Sequence, residues 1–152
     1  MSPVRRAEVA DAHDVARLLH DFNTEFSEPS PGVEVLTDRA RQLLANGEIS
    51  VLLGGAGPDG VAMLRFRPSI WTGALDAYLE ELYVAPGQRG RGIGRALLEM
   101  AMETARQAGA THMDLGTSET DTAARNLYES CGFNNHEGRA DGPRALYYER
   151  DL

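Results

Sequence analysis

The spacing of apolar residues predicts a single α/β domain on a mixed, mostly antiparallel sheet, spanning all 152 residues. Two observations carry that expectation. Three strand-like runs follow one another in mid-chain with only turns between them, and a strand–helix–strand unit comes next. Successive strands joined by turns pair antiparallel, whereas a strand that returns through a helix crosses over right-handed to a parallel neighbour.

Arg5 to Val9 reads as a first strand, and Asp11 offers an N-cap to a helix whose apolar face is Val15, Leu18, Leu19, Phe22 and Phe26. The run Glu28-Pro29-Ser30-Pro31-Gly32 breaks it, and a second helix is expected from Thr37 to Ala45. Ile49 to Leu53 and Val61 to Phe66 are strands joined by a glycine-rich turn, and Ala77 to Val84 is the third of that run. After Pro86 the period becomes helical through Ile93, Leu97, Met100, Ala101, Thr104 and Ala108, stopping at Gly109. Met113 to Leu115 forms a strand, Ala124 to Cys131 a helix ending at Gly132, and Ala145 to Glu149 a last strand.

Composition narrows the function. A net charge of −8 argues against a nucleic-acid partner, since neutralising phosphates requires a cationic face, and it suits a cationic substrate. No apolar run approaches the roughly 18 residues of a membrane span, and the N-terminus lacks the apolar core of a signal peptide, so a cytoplasmic protein is expected. His13, His20, His112 and His136 match no metal spacing, and no metal is expected. Cys131 sits at an apolar helix position, as a packing thiol does. All fifteen basic Lys+Arg positions are arginine, and Arg89, Arg91 and Arg95 crowd one short segment.

That segment, Gln88-Arg89-Gly90-Arg91-Gly92-Ile93-Gly94-Arg95, lies between a strand and a long helix. The first N–H groups of a helix have no intrahelical partner and its dipole favours an anion there, while glycines let a phosphate approach the amides. Neither glycine frame satisfies G-x-G-x-x-G, and the absence of lysine rules out a P-loop.

Arg89-x-x-Gly92-x-Gly94 after Glu80-Glu81-Leu82-Tyr83-Val84 resembles the acyl-CoA-binding motif of the GNAT acetyltransferase superfamily, R/Q-x-x-G-x-G/A. Ala124-Arg125-Asn126-Leu127-Tyr128-Glu129-Ser130-Cys131-Gly132-Phe133 is similar to that family's A-x-x-L-Y-x-x-x-G-F helix. The resemblance implies helices on both faces of the sheet and a V-shaped wedge in which the pantetheine of acetyl-CoA adds to the strand edge. Leu82, Tyr83 and Val84 would line that edge, with the main chain of Leu82 and Val84 pairing with the cofactor. Gly90, Gly92, Ile93 and Gly94, with Arg89, Arg91 and Arg95, would hold the pyrophosphate.

The resemblance further implies that Tyr128 serves as general acid toward the departing thiolate. Glu80 and Glu81 match an acidic pair of polyamine-type members, which implies Glu80 as base and Glu81 as an aid to substrate binding. On a regular strand neighbouring side chains point to opposite faces, so only one would face the acceptor unless a bulge intervenes. Asp121 stands where the family often has asparagine; ionised, it can cap a helix but cannot donate a hydrogen bond. Trp71 with residues 68–74, and the loop 28–35, fall where similar proteins place acceptor-binding loops. The expected reaction is acetyl transfer to a small cationic amine. Acetylation of a protein N-terminus or lysine, and a non-catalytic acyl-CoA sensor, are the alternatives, and a homodimer is left open.

Overall fold

The computed structural model describes residues 3–152, so Met1 and Ser2, the start of the segment read for a targeting signal, lie outside the described residues. The chain divides into two compact units, the first ending at Leu115 and the second comprising Gly116–Leu152.

The first unit holds a five-stranded sheet in the order β1-β2-β3-β4-β5: β1 (Val4–Arg6), β2 (Ser50–Gly54), β3 (Gly60–Pro68), β4 (Leu75–Val84) and β5 (Ala110–Leu115). The first three pairings are antiparallel and β4–β5 is parallel, as the helical crossover requires. Helices α1 (Ala12–Glu25) and α2 (Val33–Ala45) cover one face of the sheet, where Val15, Leu18 and Ala40 join Val51, Leu53, Val61, Met63 and Tyr83 in one core cluster. Helix α3 (Ile93–Gln107) covers the other face. Its Ile93 and Leu97 side chains lie within 3.1 and 3.3 Å of where a Cβ would stand on Gly54, so a glycine here permits close helix–sheet approach.

The boundaries differ from expectation where turn chemistry intervenes. Beyond β1 the chain enters a 3-10 turn, Val9–Asp11, and Asp11 accepts from the Glu8 N–H (2.7 Å) and pairs with Arg5 (2.8 Å). Helix α2 begins at Val33, four residues before Thr37, directly after Gly32 at its N-cap. Among the described residues no helix is long and apolar enough to cross a membrane.

The second unit contains α4 (Thr122–Ser130), capped by Asp121, whose carboxylate accepts from the Ala124 N–H at 3.1 Å. The expected strand Ala145–Glu149 is absent: the chain after residue 142 has no regular structure, and Leu146, Tyr147 and Tyr148 are 72, 77 and 84% exposed. Strand-like composition makes a strand only where a partner supplies the ladder, and Ala145 instead donates its N–H to the Asn135 carbonyl (2.8 Å).

Gly60 generates a test of the α3 packing. A Cβ there would stand 2.8 Å from Leu97 Cδ1 and 3.1 Å from the Tyr83 carbonyl oxygen, so Gly60→Val should cost about 1–3 kcal/mol by overpacking. Urea unfolding measures it, and an unchanged midpoint would show that α3 yields freely.

Candidate active site

The β4–β5 ladder runs from Leu75↔Ala110 to Leu79↔Leu115 and stops, while β4 continues to Val84 with only β3 beside it. An open edge therefore exists along residues 80–84. Which main-chain groups face it follows from the antiparallel pattern. Ala85 donates its N–H to the Asp59 carbonyl at 2.8 Å, which makes that pair hydrogen-bonded; by alternation Tyr83 and Glu81 bond to β3, and Leu82 and Val84 point their N–H and C=O groups outward.

The regular alternation fails at one place. Met63 pairs with Glu81 but Leu64 pairs with Leu79, so Glu80 is an extra residue, a β-bulge, in β4. Because the bulge reverses parity, Tyr78, Glu81 and Tyr83 share the face of Arg65, Met63 and Val61, while Leu79 and Leu82 share the face of Leu64 and Ala62. Glu80 turns its carboxylate to the Arg65 guanidinium, which donates to it through Nε. Both carboxylates of the pair thus serve one face.

Their environments differ. Glu80 is held in an ion pair, whereas burial, followed by the negative charge of Glu80, pushes Glu81 up from 4.5 to about 7. A buried carboxyl group titrating near neutral pH is suited to accept a proton there.

Beyond the strand, a 3-10 turn at Pro86–Gln88 leads to the glycine–arginine segment. Gly90 (φ +78) and Gly92 (φ +84) take the left-handed conformation that only glycine adopts cheaply, and a Cβ on either would meet nothing within 4 Å. The first α3 bond runs from the Ala96 N–H to the Gly92 carbonyl (3.0 Å), so the Ile93 and Gly94 amides precede it at the positive end of the helix. The open space at both glycines leaves these amides accessible to an anion. Arg91 and Arg95 are exposed.

Arg89 is already engaged. Its Nε donates to the Val84 carbonyl (2.9 Å), and its Nη2 donates to Glu25 Oε1 (2.8 Å), which also accepts from the Tyr83 hydroxyl (3.0 Å). Arg89 holds Glu25 below the usual carboxylate range. Burial, then Glu25, pushes the Tyr83 phenol up to about 12, and the ring stacks on Phe22 with centroids 4.8 Å apart. Tyr83 thus differs from Leu82 and Val84 in serving the core and not the open edge. Nothing local in the sequence marks Glu25.

In the second unit, Tyr128 is buried, with its ring edge-on to Phe133 at 6.0 Å between centroids. Cys131 is partly buried. In the first, Trp71 is 92% exposed. The loop after α1 is tied down, with Asn23 donating to the Pro29 carbonyl and His20 bonded to Ser30, both at 2.8 Å.

A mixed sheet whose parallel pair ends beside a glycine-rich helix start is the arrangement that the sequence resemblance implies. The profile of the Acetyltransferase (GNAT) family matches residues 14–133, and the chain belongs to that family. It is 28% identical over 142 residues to the thialysine N-epsilon-acetyltransferase of Mus musculus, covering 85% of this chain and 82% of the relative. It is 30% identical over 155 residues to the aminoglycoside N(6')-acetyltransferase type 1 of Stenotrophomonas maltophilia, covering 98 and 93%. A crystal structure from Arthrobacter sp. FB24, assigned as an acetyltransferase, superposes with a TM-score of 0.91 at 44% identity, covering 100% of this chain and 97% of that one. The protein is an N-acetyltransferase, and acetyl-CoA is the co-substrate its family uses.

The Glu81 shift has a consequence for stability. Its folded value lies above its unfolded one, so the contribution is complete below pH 4.5 and is lost as pH rises through about 7. Glu81→Gln should therefore gain stability relative to the parent at about pH 8 but not at about pH 4. Denaturant midpoints at the two values check this; equal differences would place Glu81 in water.

Proposed function

We propose that the protein acetylates a primary amine of a small cationic molecule, with Glu81 as proton acceptor and Tyr128 as proton donor. The observation that carries the reading is the bulge at Glu80, which sets both carboxylates on one face, where Glu80 is paired with Arg65 and burial raises the Glu81 pKa to about 7. The similarity to acetyltransferases named for thialysine and aminoglycosides supports an amine acceptor.

Acetyl-CoA supplies an activated thioester. The outward main chain of Leu82 and the N–H of Val84, whose carbonyl Arg89 engages, would hold its pantetheine arm, and the amides of Gly90 to Arg95, with Arg91 and Arg95, its phosphates. An alkyl ammonium of pKa near 10.4 must lose a proton to attack, which costs about 4–5 kcal/mol at neutral pH. Glu81 takes that proton, and a base titrating near 7 is well matched to the task. Glu80, neutralised by Arg65, keeps the site from accumulating two uncompensated charges. This assignment exchanges the roles that the resemblance implied for the two glutamates. Tyr128 donates a hydrogen bond from its hydroxyl to the sulfur as it gains charge.

A screen of amines against acetyl-CoA with thiol detection tests the reading. Cationic amines should react best, with apparent affinity falling as salt rises; a preference for neutral or anionic acceptors would defeat it. With the best amine, kcat/KM should rise with pH through about 7 in the parent. Glu81→Gln should lower it by about 10²-fold or more at neutral pH, the gap closing toward pH ~10, where free amine abounds. If Glu80→Gln shows that loss and Glu81→Gln does not, the base is Glu80.

Tyr128→Phe should lower kcat by about 10²-fold, the low end for general-acid help because a thiolate leaves readily, with CoA affinity nearly unchanged. Equal turnover would assign Tyr128 to packing.

A further inference from the structure

Glu25 is the last residue of α1 and stands 64 positions before the arginine it holds. One of its oxygens, Oε1, accepts from both Arg89 Nη2 (2.8 Å) and the Tyr83 hydroxyl (3.0 Å). Tyr83 is fixed from below, being 5% exposed and stacked on Phe22 of the same helix. The Arg89 guanidinium lies 5.6 Å above the Tyr83 ring and donates its Nε to the Val84 carbonyl (2.9 Å). Three separate segments thus meet on one guanidinium: the end of α1, the outward edge of β4, and the start of the glycine loop.

We infer that Glu25 is a positioning residue for acetyl-CoA: by holding Arg89 across Tyr83 onto Val84, it sets the place of the loop 89–92 relative to the open edge of β4. Pantetheine and pyrophosphate are joined covalently, so the edge and the cradle must stand at a matching separation. A glycine-rich loop cannot hold that separation by itself, since its backbone has more freedom than any other sequence. Charge-assisted bonds to a planar guanidinium give both strength and direction. Arg89 consequently acts as a brace for the cradle, and direct charge on the phosphates falls to Arg91 and Arg95. Glu25 also opens the loop that Asn23 and His20 tie to α1, so the same brace links that loop to the cofactor site. The inference rests on the acetyl-CoA cradle proposed above.

The test is calorimetric titration of CoA into the parent, Glu25→Ala, Glu25→Gln, Arg89→Gln and the double variant Glu25→Gln/Arg89→Gln, with steady-state kinetics and thermal unfolding alongside. Glu25→Ala should weaken CoA binding about ten-fold or more and raise the KM for acetyl-CoA, with kcat within about two-fold and the protein folded. Glu25→Gln, which keeps an acceptor oxygen, should recover part of the loss. The double variant should bind no worse than Arg89→Gln alone, because the two residues act through one contact. Glu25→Ala with parental CoA affinity, or losses that add in the double variant, overturns the inference alone. A folded parent that binds no CoA overturns the cradle, and this inference with it. Should Glu25→Ala unfold, the Glu25→Gln cycle decides by the same criteria.

Discussion

The structure depends on a change of partners along β4. Up to Leu79 the strand is paired on both sides, by β3 antiparallel and by β5 parallel; after Leu79 it keeps only β3, and the bulge at Glu80 falls at that transition. A bulge bends its strand and increases the local twist, which is how one edge can part from a neighbour while the opposite ladder stays closed. Everything chemical about the first unit follows. The same irregularity exposes the Leu82 and Val84 main chain on the outer edge and turns Glu80 and Glu81 to a common face. A strand without the extra residue would put one carboxylate among the buried side chains that meet α3, at the desolvation cost of an unpaired charge.

That constraint was the part least readable from sequence. Glu80-Glu81-Leu82-Tyr83 carries no glycine or other mark of a bulge, and one inserted residue reverses the facing of every residue before it. The glycine–arginine segment was legible because its logic is local: alternating glycines before a periodic helix suit an anion wherever they occur. For similar reasons Asp121 could be read as a helix cap, and α3 could be placed from its apolar spacing. The Ala145–Glu149 strand failed because alternation and aromatic content describe a surface that wants a partner, and only tertiary structure supplies one. The Glu25–Arg89 brace joins residues too distant for any spacing rule, and Glu25 sits on a helix end where a solvated carboxylate would be unremarked.

Two residue choices show how the core serves the site. Tyr83 is buried for its ring, which stacks on Phe22, yet its hydroxyl reaches Glu25, so a packing residue carries a polar brace at its tip. Burial, then Glu25, pushes its phenol up to about 12, so at neutral pH it stays a donor to the Glu25 carboxylate. The lowered pKa of Glu25 works to the same end, since a protonated Glu25 would lose half its reason to hold Arg89.

An acidic chain in a family that uses an anionic co-substrate is at odds with electrostatics only if charge is counted over the whole molecule. With a Debye length of about 8 Å at physiological ionic strength, the net −8 acts as a weak, long-range bias, and the field within a few ångströms decides binding. β4 sorts that near field. Past its C-terminal end come Arg89, paired with Glu25, then Arg91, the α3 N-terminus and Arg95. On its inner side Arg65 cancels Glu80 and leaves Glu81 to set the sign, negative when deprotonated. One strand one residue too long thus carries the carboxylate pair on one side of the bulge and leads into the glycine–arginine segment on the other. On the proposed function, the global acidity would steer a cationic amine and be too weak at short range to repel the phosphates of acetyl-CoA.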